Sequence, residues 1–445
     1  MDHPIFTASL LAGGFALAIV AQWRGWRPSL RASLAVGLGL RLILLVSAAS
    51  DSWQPVDFAE SFQPAGAAIL SGHDPVLASN GGWHFLPMIP YLYAVPLAMG
   101  IPWEIAGRIW TILADVVLIY LVGKLARGLP AEGGIEQQRR REAQARFQYA
   151  CNPIALMISV IHAQVEPISL VFLVAAYVVA RRPAPAAAAG ARHGSAGGAR
   201  RAVLTGVLFG LALSAKSWPI VLLPVVLAML PTWRQRLYGL VASGAVPVFF
   251  LVTLPVFVNT SVDNLKHAAR YMGGVRPIVG EWGWTALLTG GNWELVPAYS
   301  RYGQIVLYVT LLVVGLLWRR ADRIDQTSAM LLAFMIVTPR MGTQYLQWFV
   351  PFLVARPTRW SRPAMGVAAV WAGLGYIYLT QFDETQWWIN HRWWAQVSLV
   401  VIVFLAAAIP WSRRRAAAPH PAPPGAAPEV VASGEPLATG RRLGR

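Results

Sequence analysis

Residues 31–60 read RASLAVGLGLRLILLVSAASDSWQPVDFAE. Between Ala32 and Ser50 the only charge is Arg41; the chain then turns acidic at Asp51, Asp57 and Glu60. About 20 apolar residues in a helix cross the roughly 30 Å hydrocarbon core of a bilayer. The stretch therefore reads as a membrane span followed by a loop of different character. Apolar runs of the same kind recur at 4–22, 104–126, 147–161, 163–180, 202–215, 217–231, 237–258, 303–318, 326–339, 344–356, 363–380 and 393–411. With 31–50 they make thirteen, several shorter than a full crossing.

Composition points the same way. The 445-residue chain is 56% hydrophobic and 13% charged, against about 25% charged in a soluble domain. Twenty Trp and thirteen Tyr suit a protein with two membrane interfaces, where amphipathic rings settle. The single cysteine, Cys151, excludes an internal disulfide and a Cys-based metal cluster. A net charge of +17 raises the question of nucleic acid. The Arg residues sit between apolar runs, as topology signals do, so no nucleic-acid partner is expected. With the N-terminus outside and the chain alternating, 28 of the 37 Lys and Arg residues fall in inside loops or the tail. The expectation is an all-α polytopic bundle of about 11–13 spans in the cell membrane, with a cytoplasmic C-terminus. Asp2 and His3 stand where a secretory signal carries basic residues, so 4–22 reads as a retained first span.

Residues 1–412 form one membrane domain in this reading. Within it, the Pro/Ala/Gly/Ser-rich stretch 183–199 is a flexible cytoplasmic linker, and 413–445 is a disordered tail. Parity makes hairpins of 147–180 and 202–231, turning outward near His162–Pro167 and Lys216–Pro219. Segment 85–103 holds Pro87, Pro90, Pro96 and Pro102. Proline interrupts helical hydrogen bonding, so this segment reads as short interfacial or re-entrant helices on the outer side.

Candidate chemistry gathers on that side. The loop 51–84 holds Asp51, Asp57, Glu60 and Asp74, with Gly81, Gly82 and His84, and no Lys or Arg. A carboxylate near the interface serves as a general base when burial tunes it; the plainer reading of Asp57 is a solvated loop residue or a helix cap. Lys216 interrupts a 30-residue apolar stretch. Lysine at membrane depth costs about 3 kcal/mol, so an anion such as a lipid phosphate is expected near it, unless it snorkels to the interface. His162, Gln164 and Glu166 form a His-x-Gln-x-Glu run. One His and one carboxylate make a poor metal site, so hydroxyl binding or a polar turn is the more economical reading. Arg340, among few outward basic residues, precedes Gln344 and Tyr345. Its planar fork suits a phosphate, and the two neighbours suit a sugar or headgroup, or an anchor belt. Arg41, Arg108 and Asp115 are intramembrane charges that either pair structurally or line the site. The loop 259–302 interleaves Lys266, His267, Arg270, Arg276 and Glu281 with Trp282, Trp284 and Trp293, as an amphipathic surface helix or a lid would. No cofactor and no metal is called for.

Four stretches, spread over about residues 31–356, carry a family resemblance. They are Val56-Asp57-Phe58 with Gly66 to Pro75; Asn152-Pro153 with His162 to Glu166; Gly206 to Pro219; and Gln344-Tyr345-Leu346-Gln347-Trp348. In order and layout the chain resembles the GT-C superfamily of membrane glycosyltransferases. The similar branches are the bacterial polyprenyl-phosphate-mannose-dependent alpha-mannosyltransferases and the first GPI mannosyltransferase. The resemblance implies an inverting transfer of a sugar, usually mannose and otherwise arabinose or another pentose, from a polyprenyl-phosphate donor to a lipid or glycan acceptor. Asp57 would be the base, Lys216 and Arg340 would meet the donor phosphate, and Glu60, His162, Gln164, Glu166, Gln344 and Tyr345 would bind substrate. Pro55 stands where the eukaryotic pattern has a first Asp, and Val76 where the family usually has Tyr after Asp-Pro; the first departure argues against a metal-bound donor. The competing class is a flippase or transporter of lipid or lipid-linked sugar, but the sequence shows no internal repeat of the transporter kind.

Overall fold

The computed structural model describes residues 1–79, 86–127, 134–181, 194–273 and 278–414. Gly81, Gly82, His84, Arg276, residues 183–193 of the expected linker and residues 415–445 of the expected tail lie outside the described residues.

The fold is helical, with one short antiparallel ladder of Ile278–Val279 and Glu294–Leu295. Each of the thirteen apolar runs contains helix. Eight helices are long and apolar enough to cross a membrane: Pro4–Trp23, Leu30–Ala49, Trp103–Arg127, Gly197–Ala215, Trp233–Val258, Pro297–Leu317, Ser361–Gln381 and Glu384–Arg413. The remaining runs are shorter or interrupted. Glu166–Ala180 has 15 residues, Arg323–Val337 has 15, and 344–356 divides into a 3-10 turn and the six-residue helix Val350–Ala355. The breaks fall at polar or proline-containing turns, which is why the 11–13 expected spans become eight long helices and several partial ones.

The break at Lys216 carries a change of direction. The helix Gly194–Ala215 ends one residue before it, and a 3-10 turn follows at Trp218–Leu222. Gly198 faces Gln235, Gly206 faces Gly239, and Gly210 faces Ser243 and Val246. Sequence number rises along both helices together, so Gly194–Ala215 and Trp233–Val258 run parallel, and residues 216–232 return the chain from the end of the first to the start of the second. One expectation is corrected here. Residues 194–199 begin this helix instead of ending a linker. Extending a nucleated helix is cheap, and Gly198 lets the Gln235 side chain approach the backbone. The tail boundary also shifts: Arg413 is tied to Asp325 and to the Pro357 carbonyl.

The acidic segment is more ordered than a loop. A π-helical turn covers Asp57–Phe62, a helix follows at Gln63–Leu70, and Asp74 caps Pro75–Ala78. The proline-rich segment forms the helix Met88–Ala98, packed where Gly66 leaves room for Tyr93. Below them, Arg41 and Asp115 form a fully buried ion pair, 2.6 Å apart. Tyr149 donates to Asp115 at 2.6 Å and Gln347 donates at 3.2 Å. Of the two readings left open for these charges, Arg41 and Asp115 take the structural one. Cys151 is free and buried.

Candidate functional site

Asp57 begins its π-helical turn with Phe58 as the anchor. The Phe58 ring is fully buried, lies 4.8 Å from the Trp103 ring, and fits because Gly107 has no Cβ to obstruct it. Trp103 Nε1 donates to the Phe58 carbonyl at 3.0 Å. Arg108 stacks over the same ring at 4.3 Å. Its guanidinium donates to Gln54 Oε1 at 2.8 Å and to the Val160 carbonyl at 2.7 Å. Val160 belongs to a second π-helical turn, Met157–Ile161. Arg108 thus ties the segment before Asp57 to the segment before His162.

The turn His162–Val165 is the other half of the site. Ala163 adopts φ 54°, a left-handed conformation unusual for alanine. That turn aims Gln164 at Asp57, and Gln164 Nε2 donates to Asp57 Oδ2 at 2.9 Å. The same nitrogen lies 3.2 Å from His162 Nε2, and His162 Nδ1 lies 2.5 Å from the Tyr376 hydroxyl. Tyr376 sits in a third π-helical turn, Leu374–Tyr378, and shares a hydrogen bond with Thr343. Wide turns are frequent at functional sites, and here hydrogen bonds link Asp57 in the first and Tyr376 in the third to the residues that follow the second. Burial holds the His162 imidazole down to about 4; Asp57 opposes this, while Lys216 and Arg108 add to it. His162 is therefore neutral at physiological pH.

Glu166 and Lys216 form an ion pair of 2.6 Å, both buried. Glu166 stands at the N-terminus of Glu166–Ala180 and Lys216 just past the C-terminus of Gly194–Ala215. Each helix dipole favours the charge at its end. The two helices are laced by Ser169 donating to the Ala212 carbonyl at 3.0 Å. Lys216 thus already has a protein anion beside it.

Tyr345 connects this pair to the remaining charges. It lies within electrostatic reach of Lys216, Glu166, Arg340 and Glu281. Its ring stacks on Trp348, which stacks on Trp218 at 4.2 Å. Arg340 is exposed. Glu281 interacts with both Arg340 and Asp57, so the two halves of the cluster share one region. Burial raises the Glu281 carboxyl to about 7, with Arg340 lowering it and Asp57 raising it further. The segment around Glu281 is clamped. Trp282 Nε1 donates to the Met335 carbonyl, Trp284 Nε1 to Val337 and Thr285 Oγ1 to Pro339, all just before Arg340.

Asp57, His162, Gln164, Glu166, Lys216, Arg340 and Tyr345 are therefore gathered. Glu60 is exposed on the Asp57 turn, and Gln344 folds against Gly342. Among the described residues, neither bonds to the cluster. Tyr376 and Thr343 join it without any sequence signal having pointed to them. Glu281 stood out in sequence only as one member of the Trp-rich loop. Among the described residues, no group of three His, Cys, Asp or Glu is placed to hold a metal ion. No protein-family model and no curated protein matches this sequence.

Proposed function

We propose that this protein is an inverting glycosyltransferase of GT-C type. It moves a sugar, with mannose favoured, from a polyprenyl-phosphate donor to a lipid or glycan acceptor at the non-cytoplasmic membrane face. The observation that carries the reading is an exposed carboxylate, Asp57, bonded through one oxygen to buried Gln164 and grouped with Lys216, Arg340 and Tyr345. In the reaction, the acceptor hydroxyl gives its proton to Asp57 as its oxygen bonds to the anomeric carbon. The bond from that carbon to the phosphate oxygen breaks on the opposite face, and polyprenyl phosphate leaves with the electron pair. Arg340 meets the charge that develops on the phosphate, and Lys216 adds to it while Glu166 holds the ammonium in place. Fixed cations aimed at developing charge are a large part of such catalysis.

The test is transfer of radiolabelled sugar from synthetic polyprenyl-phosphate mannose, or the pentose analogue, to lipid extract by purified protein in nanodiscs. Asp57→Asn is expected to lower transfer by about 10²–10⁴-fold, the range of general-base catalysis, while donor binding persists. Unchanged transfer in the variant removes Asp57 as base. If the wild type carries the lipid-linked sugar between leaflets without forming a new glycolipid, transport replaces transfer.

A further inference from the structure

The hydrogen bonds around His162 have a direction that can be deduced from Asp57. A carboxylate only accepts hydrogen bonds when ionised. The Gln164 amide must therefore turn its NH2 toward Asp57, since its oxygen there would face the carboxylate. Nε2 lies 2.9 Å from Asp57 Oδ2 and 3.2 Å from His162 Nε2. Its two protons serve these two acceptors. The arrangement leaves the buried Gln164 Oε1 without a partner among the described residues, and it holds because turning the amide over would be worse. His162 Nε2 must then be the bare nitrogen. A neutral imidazole with a bare Nε2 carries its proton on Nδ1, and that proton goes to the Tyr376 oxygen. With its oxygen accepting from His162, Tyr376 also shares a hydrogen bond with the Thr343 side chain.

We propose that Gln164, His162 and Tyr376 form a donor chain that orients Asp57: Gln164 donates both to Asp57 and to His162, and His162, fixed as the Nδ1-protonated neutral tautomer, donates to Tyr376. These are positioning residues, and His162 is neither base nor acid in the reaction. The chain holds Asp57 through Oδ2, and among the described residues nothing bonds Oδ1, the oxygen left for an acceptor hydroxyl. Its members come from the turns 157–165 and 374–378, so a shift of either turn is felt at the carboxylate. The charges within reach of His162 are Asp57, Lys216 and Arg108. The role assigned to Asp57 rests on the transferase reading; the direction of the chain does not.

Two measurements separate these. Nitrogen NMR of the full-length protein in nanodiscs, labelled at histidine and assigned by difference with His162→Asn, reads the tautomer without substrate. A pyridine-type Nε2 and a protonated Nδ1 at neutral pH are expected. A protonated Nε2, or an imidazolium, overturns the chain whatever the protein catalyses. The second measurement is transfer by Tyr376→Phe. A fall in kcat of about tenfold is expected, equivalent to one modest hydrogen bond, with donor KM little changed and the acidic limb of the pH profile displaced toward higher pH. If Tyr376→Phe does not fold, the nitrogen NMR of the wild type still decides the chain, since it needs no change at Tyr376. An unchanged kcat and pH profile in a variant with altered tautomer show that the chain positions nothing. A wild type without any transfer defeats the transferase reading, and the NMR result then decides the chain alone.

Discussion

Glu281 gives the site a pH signature that can be worked out in sign. Burial raises its carboxyl from the ordinary 4.5 to about 7. Between those values the folded protein keeps a proton that the unfolded chain has lost. Stability is then full below pH 4.5, falls as pH rises to about 7, and is flat beyond. Glu281→Gln, which cannot ionise, is expected to flatten that slope in thermal unfolding of the detergent-solubilised protein. Parallel slopes in wild type and variant would assign the pH dependence elsewhere. Glu281 also marks what single residues disclose in sequence. Lys216 and the His162–Glu166 run were legible because polar groups at membrane depth are expensive and stand out against their surroundings. The acidic stretch around Asp57 was legible for its lack of basic residues. Glu281 and Tyr376 were not, because their meaning lies in contacts made after folding. Tyr376 meets His162 across 214 positions, and no local pattern encodes such a pairing.

Helices that carry site residues must be held by their neighbours, and the glycines of the Gly206–Pro219 stretch do this for Lys216. A Cβ at Gly206 would lie 2.3 Å from the Gly239 carbonyl oxygen, and one at Gly210 would lie 2.9 Å from that of Ser243. The four-residue spacing puts both on one face, the small-residue pattern by which membrane helices approach closely. Gly206→Ala forces the parallel helices apart, and backbone cannot yield as a flexible side chain can. A loss of about 1–3 kcal/mol is expected, the usual range for overpacking, seen as a lower unfolding midpoint in detergent. On the transferase reading transfer should fall as well, because the moving helix ends one residue before Lys216. A stabilised variant would show that removing a helical glycine outweighs the clash. At this scale hydrophobicity made all thirteen runs legible as helical and located the breaks near His162 and Lys216. It did not disclose the three π-helical turns. One extra residue in a single turn leaves no periodic mark, and the turn at Asp57 is held by what Phe58 packs against, Trp103 and Arg108.

Among the described residues, the contacts between loops fall into two sets. Arg27 pairs with Glu136, Arg181 with Asp322, and Arg356 and Arg413 with Asp325; each contact joins segments that the charge pattern assigns to the inside. Asp2 accepts from Ser52, Asn264 donates to Asp74, and Glu281 interacts with Asp57; each joins segments assigned to the outside. Pairing within sets follows from alternation of the spans, and the basic excess of the first set supplies the direction. Cysteine labelling on intact cells tests both parts. The native Cys151 is fully buried, so it adds no background to an impermeant maleimide. Ser71 and Ser412 are exposed and belong to opposite sets. Ser71→Cys is expected to label on intact cells, and Ser412→Cys only after permeabilisation. Labelling of both from outside breaks the alternation. The reverse pattern keeps the alternation but inverts the protein. Asp57 would then face the cytoplasm, and the acceptor would have to be sought on that side of the membrane.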